Sequence, residues 1–151
     1  MSALSTYTIT GPARAPAVRG AGLLDFLASA IFAMIAFPQP VARAAITGAG
    51  LPIGAFVGLL FAIIFAVHWV YLTFSVLTWG RTASMYLLDL GLDTPNRPVF
   101  SEAAGWALGW GLAVLPALLG ASAAYHPEGG LPARIGRIAT CSTHVQGGPP
   151  A

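Results

Sequence analysis

The run from Gly54 to Trp79, GAFVGLLFAIIFAVHWVYLTFSVLTW, contains no formally charged residue. At about 1.5 Å of rise per residue, about 26 residues make roughly 39 Å of helix. That exceeds the ~30 Å hydrocarbon core of a bilayer, so the run can cross one with tilt. A soluble amphipathic helix needs a charged or strongly polar face, and this run has none. It is read as a transmembrane helix.

Composition agrees. Only 8% of the residues are charged and 56% are hydrophobic, with a mean hydropathy of +0.75. A soluble domain carries about 25% charged residues. The net charge is +2, spread over seven arginines and five acids without a lysine. Charge that diffuse argues against a nucleic-acid partner. The single cysteine, Cys141, has no intrachain partner and no metal-ligand spacing around it. It is expected to be a plain surface thiol, with lipidation as the alternative.

Taken in order, residues 1–20 form a polar arm that becomes rich in Pro, Ala and Arg. Residues 21–37 form a first apolar run containing Asp25 and followed by Pro38 and Pro40. They are read as the first transmembrane helix. The competing reading is a cleaved signal with a site near Ala42-Arg43-Ala44. Residues 80–102 are the most polar internal stretch, read as a short interfacial segment, helical or extended, with a turn at Asp93-Thr94-Pro95-Asn96. Residues 103–125 are read as a third transmembrane helix, bent modestly at Pro116, with Trp106, Trp110 and Tyr125 at the interfaces. Residues 126–151 form a Pro/Gly-rich tail, expected to be disordered alone. The fold class is therefore all-α: an integral membrane protein with three transmembrane helices over 21–125 and a short interfacial segment between the second and third. Three crossings put the termini on opposite sides. Arg14, Arg19, Arg81 and Arg97 then face Arg43, Arg134 and Arg137, a vote for a cytoplasmic N-terminus.

Small residues recur every fourth position. The long run has Gly54, Gly58, Ala62 and Ala66; the third has Gly105, Gly109, Ala113, Ala117 and Ala121; the first has Ala21, Asp25, Ser29 and Ala33. Helices in lipid associate through close backbone approach, and Gly54/Gly58 and Gly105/Gly109 fit its sharpest form. These glycines are read as helix-packing positions.

Two residues stand out chemically. Asp25 is the only acid inside an apolar run. A charge at the bilayer centre costs ~2.5–3.5 kcal/mol on insertion scales. Its functional reading is a proton or cation site; its structural reading is a carboxylate near a helix N-terminus, paired to Arg19 or Arg81. His68 lies mid-helix among Phe65, Trp69, Tyr71 and Leu72. It can ligate a haem or a (bacterio)chlorophyll, or bond to a neighbouring helix. No GxSxG, HExxH or phosphate-binding glycine loop occurs, so enzyme activity is not expected, and no metal site is read. His126 and His144 are expected to be solvated.

Arg19 followed by Leu23-Leu24-Asp25 resembles the opening of RDD-family membrane proteins. Gly80-Arg81-Thr82 resembles the family's G-R-T-x-G turn, with Ser84 at the usual glycine. Leu87-Leu88-x-Leu90 and Asp93-x-x-Asn96-Arg97-Pro98 resemble the stretch that follows. The resemblance covers roughly residues 19–120 and would make Arg19, Asp25, Arg81, Thr82 and Asp93 the family-motif polar positions. The chain departs from the pattern where it lacks a basic residue after Thr82, and where Glu102 stands in place of an arginine entering helix three. The resemblance implies a cation/proton antiport activity.

Three functions follow. The first is a non-catalytic accessory subunit of a larger membrane complex, of the energy-transducing kind, in the bacterial cytoplasmic (inner) membrane. Its partners are other membrane subunits and lipid. The second is an RDD-like cation/proton transporter component with Asp25 as the coupling residue. The third is a pigment- or haem-binding subunit working through His68.

Overall fold

The computed structural model describes residues 7–36, 52–94 and 98–145. Its elements are β1 (Tyr7–Pro12), α1 (Ala15–Ala36), α2 (Ile53–Trp79), α3 (Ala83–Leu87), β2 (Leu90–Asp93), α4 (Phe100–Leu112), α5 (Val114–Leu118), a 3-10 turn (Ser122–Tyr125), α6 (Leu131–Gly136) and β3 (Ala139–Val145). The fold is mostly helical, but it is not all-α. The arm and the tail supply strands to an antiparallel sheet of order β1-β3-β2.

In α1 the buried positions are Val18, Ala21, Gly22, Asp25, Ser29 and Ala33. They recur every three or four residues, so they share one face. The helix α2 ends at Gly80, whose φ of 73° is the left-handed conformation that glycine adopts without strain. Its N–H donates to the Val76 carbonyl at 3.0 Å. The buried face of α2 lies in its C-terminal half, at His68, Leu72, Ser75 and Val76. Its small-residue stripe points elsewhere: Gly54, Gly58, Ala62 and Ala66 are all exposed.

The third apolar run departs most from expectation. Instead of one bent helix over 103–125 it forms α4, a break at Ala113, α5 and the 3-10 turn. Pro116 has no N–H for the Leu112 carbonyl, and the interruption it causes is one residue long: Ala113 keeps a helical backbone, with its N–H bonded to Gly109 and its carbonyl to Ala117, and the run ends at Leu118. The chain then reverses. A Cβ on Gly109 would lie 2.6 Å from the Leu131 carbonyl, and one on Gly105 would lie 3.1 Å from the Ile135 carbonyl. The Gly105/Gly109 stripe therefore docks the returning α6, not another long helix.

This reversal changes the topology. Tyr7 pairs with Val145 and Pro12 with Cys141, so arm and tail meet at one end of the molecule, where three crossings would separate them. The tail is ordered through Val145 because β3 is the central strand, bonded to β1 on one side and β2 on the other. The interfacial segment is both helical and extended, as α3 and β2. The Asp93–Asn96 turn lies partly outside the described residues, as do Arg43, Arg97, Pro38, Pro40 and the Ala42–Ala44 site.

Trp106, Trp110 and Tyr125 are fully buried rather than interfacial. The two indoles stack at 4.5 Å, and the Tyr125 ring meets Trp110 edge-on at 5.1 Å. The Tyr125 hydroxyl donates to the Trp110 carbonyl at 2.7 Å. Gly22 of α1 makes room for that ring: a Cβ there would lie 2.3 Å from its Cζ. Cys141 is buried in β3, not a surface thiol. Burial, with Asp93 nearby, pushes its thiol up to about 11.

Among the described residues, two helices are long and apolar enough to cross a membrane, Ala15–Ala36 and Val57–Trp79. Ile31, Phe32, Ile35, Val57, Leu59, Val70 and Phe74 are exposed on them. Each such side chain facing water forgoes about 1.5–3 kcal/mol of burial.

Candidate functional site: the Asp25 cluster

Asp25 and Ser29 lie one turn apart on the buried face of α1. Antiparallel packing of α1 on α2 brings Tyr71 opposite Asp25 and His68 opposite Ser29. The turn after α2 adds Thr82 and Ser84. The Asp25 carboxylate is buried and accepts hydrogen bonds from three hydroxyls: Thr82 at 2.7 Å, Tyr71 at 3.4 Å, and Ser84. Thr82 is also the N-cap of α3, accepting from the Met85 N–H at 3.2 Å. One threonine thus fixes the short helix and the carboxylate together.

The second half of the cluster is Ser29 and His68. The Ser29 hydroxyl donates to the Asp25 main-chain carbonyl at 2.8 Å. Its oxygen lies 2.9 Å from His68 Nδ1. A hydroxyl has one proton; when it goes to the carbonyl, Nδ1 carries the ring proton and Nε2 is left as an acceptor. Nε2 is buried without a hydrogen bond among the described residues. Phe26 meets the imidazole edge-on at 5.4 Å, and a Cβ on Gly111 would come within 3.4 Å of its Cδ2. Among the described residues, Ser29 links the imidazole to the main-chain carbonyl of Asp25 rather than to its carboxylate.

Two recesses flank the cluster, and Tyr71 lines both. One, of about 700 Å³, runs between α1 and α2 along Ser29, Phe32, Val67, Val70 and Phe74. The other, of about 470 Å³, opens at the end of α2 among Ser75, Trp79, Arg81, Thr82 and Tyr86.

Of the family-motif polar positions, the structure gathers Asp25 and Thr82, with Arg81 buried next to them and its guanidinium 4.4 Å over the Tyr86 ring. Arg19 is exposed, and Asp93 is exposed at the end of β2. The expected Asp25 partner is therefore a set of hydroxyls, not Arg19. Glu102 acts locally, where its carboxylate accepts the Val99 N–H at the start of α4, 3.0 Å away. His126 is exposed, as expected; the side chain of His144 lies outside what is described. Ser84 and Tyr71 escaped the sequence reading as site residues. Ser29 carried a signal, since its spacing of four from Asp25 puts both on one helix face.

Comparison with models of known families, with curated proteins and with solved structures finds no match.

Proposed function

We propose that the protein is a membrane-embedded subunit that binds a proton or a monovalent cation at Asp25. The observation that carries this reading is a buried carboxylate midway along α1, ringed by three hydroxyls where α2 ends. At the bilayer centre such a charge costs ~2.5–3.5 kcal/mol, and less toward a helix end. Hydrogen bonds to a charged group contribute about 1.5–3 kcal/mol each, so three of them offset it. Rotating the same hydroxyls turns donors into acceptor oxygens. Two carboxylate and three hydroxyl oxygens then make an oxygen cage with one negative charge, matched to a single positive one. Proton and cation compete for that charge, which is the chemistry of exchange. The resemblance to RDD proteins implies the same activity.

The subunit half of the reading rests on size and surface. Two long helices are too few for an alternating-access bundle. Among the described residues nothing lies within 4 Å of the Cβ that Gly54 and Gly58 lack, which supports reading the α2 stripe as a face for helices of other chains, of the same or another kind. The test is sodium flux against a proton gradient in proteoliposomes holding the full chain. Flux falls at least about tenfold in Asp25→Asn. Unchanged flux in a folded Asp25→Asn protein would sink the exchange reading and favour the non-catalytic accessory subunit, in which the three hydroxyls simply tie α1 to the turn after α2.

The bare, buried Nε2 of His68 is the observation that favours a tetrapyrrole subunit. That reading requires α4 to move away from the ring, because Gly111 closes on its edge. Its test is a visible absorbance band in the purified protein that disappears in His68→Ala.

A further inference from the structure

The three hydroxyls on Asp25 are held very differently. Thr82 and Ser84 are buried, 1% and 5% exposed, in the turn that follows α2, and Thr82 is fixed a second time as the N-cap of α3. Tyr71 is only half-buried. Its hydroxyl donates to Asp25 Oδ1 at 3.4 Å and accepts the Ala83 N–H at 3.3 Å, with the Ser75 hydroxyl, one turn further along α2, as its other neighbour. A hydrogen bond between two oxygens is normally about 2.7–2.8 Å long, and Thr82 makes its bond to the same carboxylate at 2.7 Å. Tyr71 is therefore the loosest of the three.

The Tyr71 side chain also stands between two spaces. It lines the recess at the end of α2, with Trp79, Thr82 and Tyr86, and the groove between α1 and α2, with Ala66, Val70 and Phe74. Asp25, 1% exposed, lies behind it. The groove holds about 700 Å³ behind an apolar lining, which is room for a phenol ring in surroundings that suit one. A long side chain on a helix has two χ1 wells open to it. A swing from one to the other gives up the two long hydrogen bonds of Tyr71 and leaves those of Thr82 and Ser84 to Asp25 intact.

We propose that Tyr71 is the gate of the Asp25 site: its ring swings into the groove between α1 and α2, and the carboxylate then opens to the recess at the end of α2. The inference rests on the Asp25 site proposed above but not on ion exchange there, and its test reads access rather than flux. The experiment is labelling of the full chain in detergent, at mildly acidic pH, with a water-soluble carbodiimide, which attacks protonated carboxyl groups. The rate at Asp25 is read by peptide mass spectrometry. Labelling follows the open fraction, so Tyr71→Ala, which removes the gate, labels at least about tenfold faster than wild type. Tyr71→Phe keeps the ring and loses the latch, so its rate falls between the two, and it serves where thermal unfolding shows that Tyr71→Ala fails to fold. Ala66→Trp, at an exposed position on the groove wall, takes the space the ring moves into. It slows labelling below wild type without removing a hydroxyl, a change that a merely structural Tyr71 would not produce. A folded Tyr71→Ala or Tyr71→Phe protein labelled no faster than wild type overturns the gate, as does a folded Ala66→Trp protein labelled at the wild-type rate. Sodium that fails to slow the labelling of wild type counts against cation binding at Asp25 and leaves the gate standing, so the two readings fail separately.

Discussion

Asp25 ties three parts of the chain together through side-chain hydroxyls, each of which donates its proton to the carboxylate. Asp25→Ala removes the acceptor for Thr82, Tyr71 and Ser84 at once. Each buried polar group left unsatisfied costs about 1–3 kcal/mol. Asn keeps one acceptor oxygen and the shape. The expected order of stability in detergent, read by thermal unfolding, is wild type, then Asn, then Ala, with the Ala variant at least about 3 kcal/mol down. An Ala variant as stable as wild type would contradict the cluster. Cys141 gives a second residue-scale expectation. Its folded-state value is raised from 9.0 to about 11, so the folded protein holds the thiol proton more tightly than the unfolded chain. That contribution to stability is complete below about 9 and is lost as pH rises through about 11. Alkylation by iodoacetamide at pH 8 is slow until the sheet opens, and fast alkylation of the native protein would show the thiol is accessible. At this scale the sequence showed the unusual acid but not its partners. Thr82 and Ser84 lie far from Asp25 along the chain, and only the turn at Gly80 brings them back to α1. The burial of Cys141 was hidden because nothing near it in the sequence announces a central strand.

The contrast between the two glycine pairs belongs to the elements. Both fit the same spacing, yet one is covered by the chain's own tail and the other is open. Gly109→Val would drive a Cβ to 2.6 Å from the Leu131 carbonyl and 2.8 Å from the Pro132 Cα. Backbone cannot yield cheaply there, and overpacking of this kind costs about 1–3 kcal/mol. The expected result is release of α6 and β3, read as new proteolytic cleavage after Tyr125. Gly58→Val meets nothing within 4 Å among the described residues, so tail protection stays at the wild-type level. Cleavage that is the same in both variants would rule out the docking role of α6. Periodicity marks both stripes but could not say what covers either, because spacing specifies a face and not its neighbour. The apolar periods of α1 and α2 were legible for a related reason: nearly uncharged runs of that length have few other folds. Pro116 was visible too, but its effect depended on whether a neighbour relieved the Leu112 carbonyl. The strands were illegible: β1 is six residues and β2 four, and each exists only because β3 returns to pair with both.

At the level of the whole molecule, the reversal after Tyr125 places sheet, α3 and the mouth of the polar recess together, and leaves the far halves of α1 and α2 projecting as an apolar pair. Their exposed Ile31, Phe32, Ile35, Val57 and Leu59 have a favourable solvent only in lipid or against other apolar helices. The Asp25 cluster sits where this pair joins the rest of the fold, flanked by the groove between α1 and α2 and by the recess beside Arg81. The proposed function depends on that placement. The measurement that tests it most directly is an alkaline carbonate wash of membranes carrying the full chain, followed by gentle detergent extraction. The account predicts that the protein stays in the washed membranes and leaves them only with detergent, as a species larger than a lone 15.5 kDa chain. Release by carbonate alone, as a monodisperse monomer in aqueous buffer, would contradict it.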